Sequence, residues 1–172
     1  MILILYIDDL LLLGEDLSKI EDVKRQLGKL YQMKDLGPTS SYLEIRITRD
    51  RNTWATWINQ EAYIENALKR FDLIDANSTK TPLPAGIHLE KSKETVALDT
   101  KMYYQQIIRT LIYAAIGTRP NIAFVATRLS RFNNNPTQEH IKYARYVLRY
   151  LKGTKGAPSV QICVRYEDNI ET

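Results

Sequence analysis

The stretch MILILYIDDLLLLG sets two adjacent carboxylates, Asp8 and Asp9, between two runs of almost purely apolar residues. Each run is short and rich in Ile and Leu. With a polar break between them, residues 2–5 and 10–13 are expected to pair as a tight β-hairpin, both arms largely buried, the aspartates in the turn and Gly14 closing it. Neighbouring carboxylates repel, and burying either without a partner is strongly unfavourable, so something positive must compensate. Two hard oxygen ligands on a rigid turn suit a magnesium ion. The competing reading is a surface turn that simply ends two strands, since Asp is a favoured turn residue.

Downstream, Ser18 and Glu21 read as a capping box, and Ile20, Val23, Leu27 and Leu30 recur at helical spacing, predicting a helix over about 18–31. Gly37 and Pro38 break the chain. From Tyr42, Leu43, Ile45 and Ile47 alternate with Glu44, Arg46 and Thr48, the pattern of a half-buried strand. Asp50, Arg51 and Asn52 form a turn, and residues 53–58, with Trp54 and Trp57, return as its partner. A helix over about 61–71 follows, and residues 75–100, with Pro82, Pro84 and Gly86, read as an exposed linker.

The remainder reads as three helices. One covers about 101–116 and ends at Gly117. A second starts near Pro120 and aligns Ile122, Val125, Ala126, Leu129 and Phe132 on one stripe. The third has Asn135 as cap and Pro136 at its first position. Its core side is Ile141, Ala144, Val147, Leu148 and Leu151, with Lys142, Arg145, Arg149 and Lys152 on an outer stripe and Tyr143, Tyr146 and Tyr150 between. The sequence shows no internal repeat.

Charge is distributed unevenly. Residues 1–100 carry 13 Lys/Arg and 16 Asp/Glu, whereas residues 101–165 carry 11 Lys/Arg and one Asp/Glu. So many uncompensated positive charges suit a polyanionic partner, nucleic acid being the commonest, against the alternative of a merely soluble basic face. A single cysteine, Cys163, excludes an internal disulfide framework and any zinc site built on paired cysteines, and is expected as a small buried residue in a strand. The apolar N-terminal run is interrupted by aspartates, lacks a basic leader and is shorter than the roughly 20 residues of a spanning helix. With no signal peptide or transmembrane segment visible, an intracellular setting is expected.

Tyr6-Ile7-Asp8-Asp9 resembles the YxDD turn of reverse transcriptases, and ordered matches extend the likeness along the chain: YIDDLLLLGED, YQMKDLG, YLEIRITRD, NQEAYIENALKRF, TPLPAG, YYQQIIRTLIYAAIGTRPNIAF and RLSRFNNNPTQEHIKYARYVLRYLKGT. The resemblance is to copia-type retrotransposon polymerases. It implies an α+β fold: a partial right-hand polymerase palm, made of the YIDD hairpin and a second hairpin with a helix, then an all-helical thumb and connection lobe. Residues 1–60 would be the C-terminal part of the palm, 61–100 the start of the thumb and a linker, 101–155 the basic helical region, and 156–172 the lead-in to a ribonuclease H domain.

The same resemblance implies RNA-directed DNA synthesis on a template-primer duplex with deoxynucleotides. Asp8 and Asp9 would ligate Mg2+ in a two-metal site, with Tyr6 near the primer end. Tyr42, Leu43 and Glu44 would correspond to the primer grip. On their helical stripe Lys142, Arg145, Arg149 and Lys152 could contact successive phosphates of nucleic acid, with Arg128 and Arg131 as weaker candidates on the preceding helix; the competing reading is an ordinary solvated face. The family's third carboxylate and fingers belong upstream of the YIDD turn, before which this chain has five residues, so a piece of a polyprotein, inactive alone, is expected. Glu44 and Arg109 stand where the family usually has glycine, and Asn121 where aspartate is common. The alternative is a catalytically inert nucleic-acid-binding remnant, with self-association through exposed palm strands as a further expectation.

Overall fold

The computed structural model describes residues 1–53, 55–91 and 96–156, together with the backbone of residues 160–163. Trp54, the side chain of Cys163 and residues 157–159 and 164–172 of the expected 156–172 lead-in lie outside the described residues. The fold is α+β, with small antiparallel sheets and five α-helices among the described residues. The chain divides into two units, Met1–Leu43 and Glu44–Thr172.

In the first unit, strands β1 (Ile2–Tyr6) and β2 (Asp9–Leu13) pair antiparallel, with Leu3 opposite Leu12 and Tyr6 opposite Asp9. The arms are not largely buried as expected: β1 is exposed throughout, from Ile4 at 39% to Leu5 at 66%, while Leu10–Leu13 of β2 are half-buried. The reason is that a two-stranded ribbon gives its residues only one covered side, and no other strand pairs with β1 among the described residues. Helix α1 (Leu17–Leu30) is capped by Asp16, whose carboxylate accepts from the Ser18 and Lys19 amides at 2.9 and 3.3 Å, and not by a Ser18 capping box. Asp fills the cap because a carboxylate at a helix start satisfies free amides and faces the positive dipole end; Ser18 then donates its hydroxyl to Asp16. The unit ends in the short strand β3 (Ser41–Tyr42).

Leu43 and Glu44 interrupt the strand expected from Tyr42 onward, because both have positive φ, 49° and 58°. Two successive left-handed residues turn the chain tightly, as in a type I′ turn, a conformation that favours Asn-Gly. Glu44 thus occupies a position whose backbone suits glycine. Strand β4 (Ile45–Asp50) then runs against β5 (Ala55–Asn59) with Ile47 opposite Ile58 and Thr48 opposite Trp57. Asp50 closes their turn by accepting from the Asn52 amide and the Thr53 hydroxyl. A strand that the apolar pattern did not reveal, β6 (Val160–Cys163), adds to the far side of β5 and places Cys163 in a strand as expected.

Helix α2 (Glu61–Arg70) leads to a central α3 (Leu98–Gly117), which begins three residues before the expected start. Tyr104, Ile107, Ile108, Leu111 and Ala114 of α3 are fully buried, and the Tyr104 hydroxyl donates to the Leu129 carbonyl at 2.8 Å. Burial pushes that phenol far up, so it stays a donor. A 3-10 turn at Pro120–Ile122 enters α4 (Ala123–Ser130), and the stripe Ile122, Val125, Ala126, Leu129 and Phe132 is buried as its spacing predicts. At roughly 1.5–3 kcal/mol for each large apolar side chain, this core dominates the stability of the second unit.

Helix α5 (Gln138–Thr154) starts later than expected: its cap is Thr137, not Asn135. The Thr137 hydroxyl accepts from the His140 amide, and His140 Nδ1 accepts in return from the Thr137 amide at 2.9 Å. This reciprocal box satisfies two amides at once, whereas the Asn135 amide is already engaged by the Phe132 carbonyl. His140 is buried and stacks on Phe132, ring centroids 3.9 Å apart.

Replacing Glu44 by glycine relieves the left-handed strain and is expected to stabilise the fold by about 1 kcal/mol, read as a higher denaturation midpoint; an unchanged or lower midpoint contradicts the positive φ. Burial holds the His140 imidazole below its ordinary value, so the folded state takes up its proton less readily than the unfolded chain does. Its contribution is therefore complete above about pH 6.5 and declines as pH falls below that, by at most about 1.4 kcal/mol per unit. Melting temperature from pH 7 to 5 should fall more steeply in the native chain than in His140→Gln, which keeps an acceptor for the capping box.

Candidate functional site

At the first site, Ile7 and Asp8 form the two-residue turn between β1 and β2, and Asp9 opens β2 directly across from Tyr6. Ile7 has φ 53°, a strained value for a β-branched residue, and it turns the chain so that Asp8 and Asp9 follow at the tip. Tyr6, Asp8 and Asp9 are all exposed. The compensation required of a buried carboxylate pair is therefore not needed: both charges are solvated. Their oxygen chemistry suits Mg2+. Their number does not, since no group of three or more His, Cys, Asp or Glu that could hold a metal occurs among the described residues. These residues alone do not build a two-metal centre.

Of the expected primer-grip residues, Tyr42 is half-buried at the end of β3, with its hydroxyl buried and without a hydrogen-bond partner, while Leu43 and Glu44 make the tight turn. Glu44 lines an open cleft of about 630 Å³ in the second unit together with Tyr63, Arg70, Arg109 and Tyr113. The two unusual charged residues, Glu44 and Arg109, thus share one cleft. Arg109 needs no backbone freedom there, because it lies on the exposed face of α3. Burial raises the Tyr63 phenol, which donates to the Thr110 carbonyl.

The basic residues have a structural employment that the stripe pattern did not disclose. Arg145 Nη1 donates to the Phe71 carbonyl at 3.0 Å and to the Tyr103 hydroxyl. Arg149 Nε donates to the Asn77 carbonyl, and Lys152 Nζ to the carbonyls of Ile74 and Ala76. Residues 71–79 are thereby strapped along α5, with the Thr79 amide donating to the Arg149 carbonyl and Ser78 packed where a Cβ on Gly153 would stand. Arg128 reaches the Ile87 carbonyl at 2.8 Å, so the segment expected as an exposed linker is partly fastened to the helices. Lys142 and Arg131 remain exposed, Lys142 over the Tyr143 ring at 5.8 Å.

Sequence reasoning missed Arg119. It is 5% exposed, with its guanidinium on the carbonyl and hydroxyl of Thr154, above the Tyr150 ring, and with Asn121 Oδ1 at 3.5 Å from Nε. Burial lowers its proton affinity, and no carboxylate pairs with it among the described residues. The Asn121 amide in turn donates to the Tyr150 hydroxyl at 2.7 Å. The signal that could have found it is an arginine followed directly by a helix-starting proline, at a junction too tight for a solvated side chain.

Residues 1–85 match the family model described as reverse transcriptase (RNA-dependent DNA polymerase). With the YIDD turn at the tip of its hairpin, the chain belongs to the reverse transcriptases of transposon Pol polyproteins, of copia type. It is 39% identical over 160 residues to a retrovirus-related Pol polyprotein from transposon TNT 1-94 of Nicotiana tabacum, an alignment that takes in 90% of this chain and 12% of that one. It is 33% identical to a protein named for transposon Ty5-1 of Saccharomyces cerevisiae, over 94% of this chain and 50% of the relative. To an uncharacterized mitochondrial protein of Arabidopsis thaliana it is 31% identical, over 90% of this chain and 62% of the relative. The chain thus spans from about an eighth to under two thirds of these relatives. No solved structure matches. No helix among the described residues is long and apolar enough to cross a membrane.

Asn121→Asp sets a carboxylate beside the buried Arg119 charge and is expected to raise stability by about 1 kcal/mol, since buried charges are costly until paired. Thermal denaturation at pH 7 checks it, and a lower melting temperature contradicts the reading of Arg119 as an unpaired buried cation.

Proposed function

We propose that this chain is the part of an RNA-directed DNA polymerase that presents the catalytic YIDD turn and the first thumb and connection helices to a template-primer duplex. The observation that carries this reading is the turn itself. Tyr6, Ile7, Asp8 and Asp9 close a two-residue hairpin whose charged tip is solvated, within the residues that match the reverse transcriptase family. In the complete enzyme Asp8 and Asp9 supply carboxylate ligands toward Mg2+, and bound metal would activate the primer hydroxyl and stabilise the leaving pyrophosphate. Tyr6, paired across from Asp9, offers its ring at the same end of the ribbon, where a primer terminus or an incoming deoxynucleotide would sit. The turn of Tyr42, Leu43 and Glu44 corresponds to the primer grip.

Two exposed carboxylates without a third ligand among the described residues support no polymerisation by this chain alone. Primer extension by the purified chain with magnesium, deoxynucleotides and a primed RNA template should give no product, and any extension that Asp8→Asn abolishes overturns this. In a polymerase that contains this segment together with its upstream palm, Asp8→Asn should cost at least about a thousandfold in extension rate. Because Asp8 is exposed, the same change should leave stability within about 0.5 kcal/mol.

A second reading is favoured by the charge distribution: the basic region 101–165, with one acid against 11 cations, can act as an inert nucleic-acid-binding module. It predicts salt-sensitive, sequence-independent binding by the chain on its own.

A further inference from the structure

Between α5 and the strap lies an open groove of about 600 Å³. Lys142, Arg145, Tyr146 and Arg149 line it from the helix, and Leu73 and Asn77 line it from the strap. No Asp or Glu lines it; the strap's own acids, Asp72 and Asp75, are exposed and outside its lining. Three cations without an ion pair therefore face one concavity, an arrangement unfavourable to itself and satisfied by an anion.

The strap also orients these cations. Arg149 spends only Nε on the Asn77 carbonyl, and Arg145 only Nη1 on Phe71 and Tyr103. A guanidinium has five N–H donors in a rigid fork, so each arginine is held by one edge and keeps donors to offer. Backbone carbonyls hold the fork without neutralising it, which leaves the charge for a ligand. Lys152 plays a different part from that given by the sequence pattern. It does not line the groove, and its amine fastens the opposite wall through the Ile74 and Ala76 carbonyls.

We propose that this groove binds the sugar-phosphate backbone of a single nucleic-acid strand, with Lys142, Arg145 and Arg149 on phosphates and Lys152 as a positioning residue that holds the strap as the groove's second wall. The inference rests on the nucleic-acid reading above and gives it an address. Lys142, Arg145 and Arg149 follow one another along the helix axis at rises of about 4.5 and 6 Å, a single row that tracks one strand. No second row of cations lines the facing wall to meet the other strand of a duplex. Tyr146, whose ring lies 6.0 Å from the Arg149 guanidinium carbon, offers an apolar face for a sugar or base.

The test is fluorescence anisotropy of the full 172-residue chain with a labelled 12-nucleotide oligothymidylate, its duplex, and inorganic phosphate as competitor. Single-strand binding is expected to weaken with salt. Lys142→Ala should weaken it about tenfold at unchanged melting temperature, with a salt slope lower by about 0.7. Lys152→Met keeps every phosphate contact, yet should weaken binding at least about fivefold because the wall is unfastened. Phosphate matched for ionic strength should not compete. The proposal is overturned if Lys142→Ala or a folded Lys152→Met binds like the native chain, if the duplex binds more tightly than the single strand, or if free phosphate saturates the groove. Failure of all oligonucleotide binding would sink the groove and leave the polymerase reading, which rests on the YIDD turn, standing. Failure of Asp8→Asn to impair a complete polymerase would sink that reading and leave the groove standing.

Discussion

The course of the chain over residues 71–79 depends on how α5 disposes of its cations. A helix that buries Ile141, Ala144, Val147, Leu148 and Leu151 must turn its other side outward, and here that side carries Arg145, Arg149 and Lys152. These side chains lie along the helix and donate to carbonyls of residues 71–77, groups that no helix or sheet otherwise satisfies. The hydrogen bonds are charge-assisted, and such bonds are roughly twice as strong as neutral ones. The strap therefore closes over the core edge around Phe71 and Leu73, both buried, and carries the chain from α2 toward α3.

A single principle, that polar groups leaving water must find partners, accounts for the other local decisions. Asp16 caps α1, Thr137 and His140 cap α5 reciprocally, and Arg119 is held by the last turn of α5. Gln60 follows the pattern through its oxygen alone: it is 1% exposed and Oε1 accepts from the Thr118 hydroxyl, while its amide nitrogen is buried without a partner, and a Cβ on Gly117 beside it would meet Gln60 at 2.7 Å. At the YIDD turn the same principle works in the opposite direction. Asp8 and Asp9 meet it by remaining in water.

Much of this was legible in the sequence because it rests on periodicity. The hairpin register, α2, the α4 stripe and the division of α5 into core and basic sides all follow from spacing, and the YIDD motif located the turn. What was not legible depends on groups that periodicity does not encode. Backbone carbonyls of residues 71–77 have no signature, so the α5 stripe looked free for solvent or phosphate. The positive φ of Leu43 and Glu44 ran against an alternating pattern that read as an unbroken strand, because the turn here carries neither Asn nor Gly. Helix caps shifted by two residues where cap-forming residues competed, as with Asp16 against Ser18 and Thr137 against Asn135. Exposure of β1 could not be read from its composition, since hydrophobicity reports what a strand can bury and not whether a partner covers it.

The cations of α5 hold residues 71–79 in place. Native-state hydrogen exchange of the unmodified chain tests it most directly at the amides of Ala76 and Thr79, which donate to the Leu73 carbonyl within the strap and to the Arg149 carbonyl of α5. Opening free energies for these amides are expected close to those of the α5 interior, and lower in concentrated salt, as the strap and helix open as one unit. Exchange at the rate of an unstructured segment, while α5 stays protected, would contradict it.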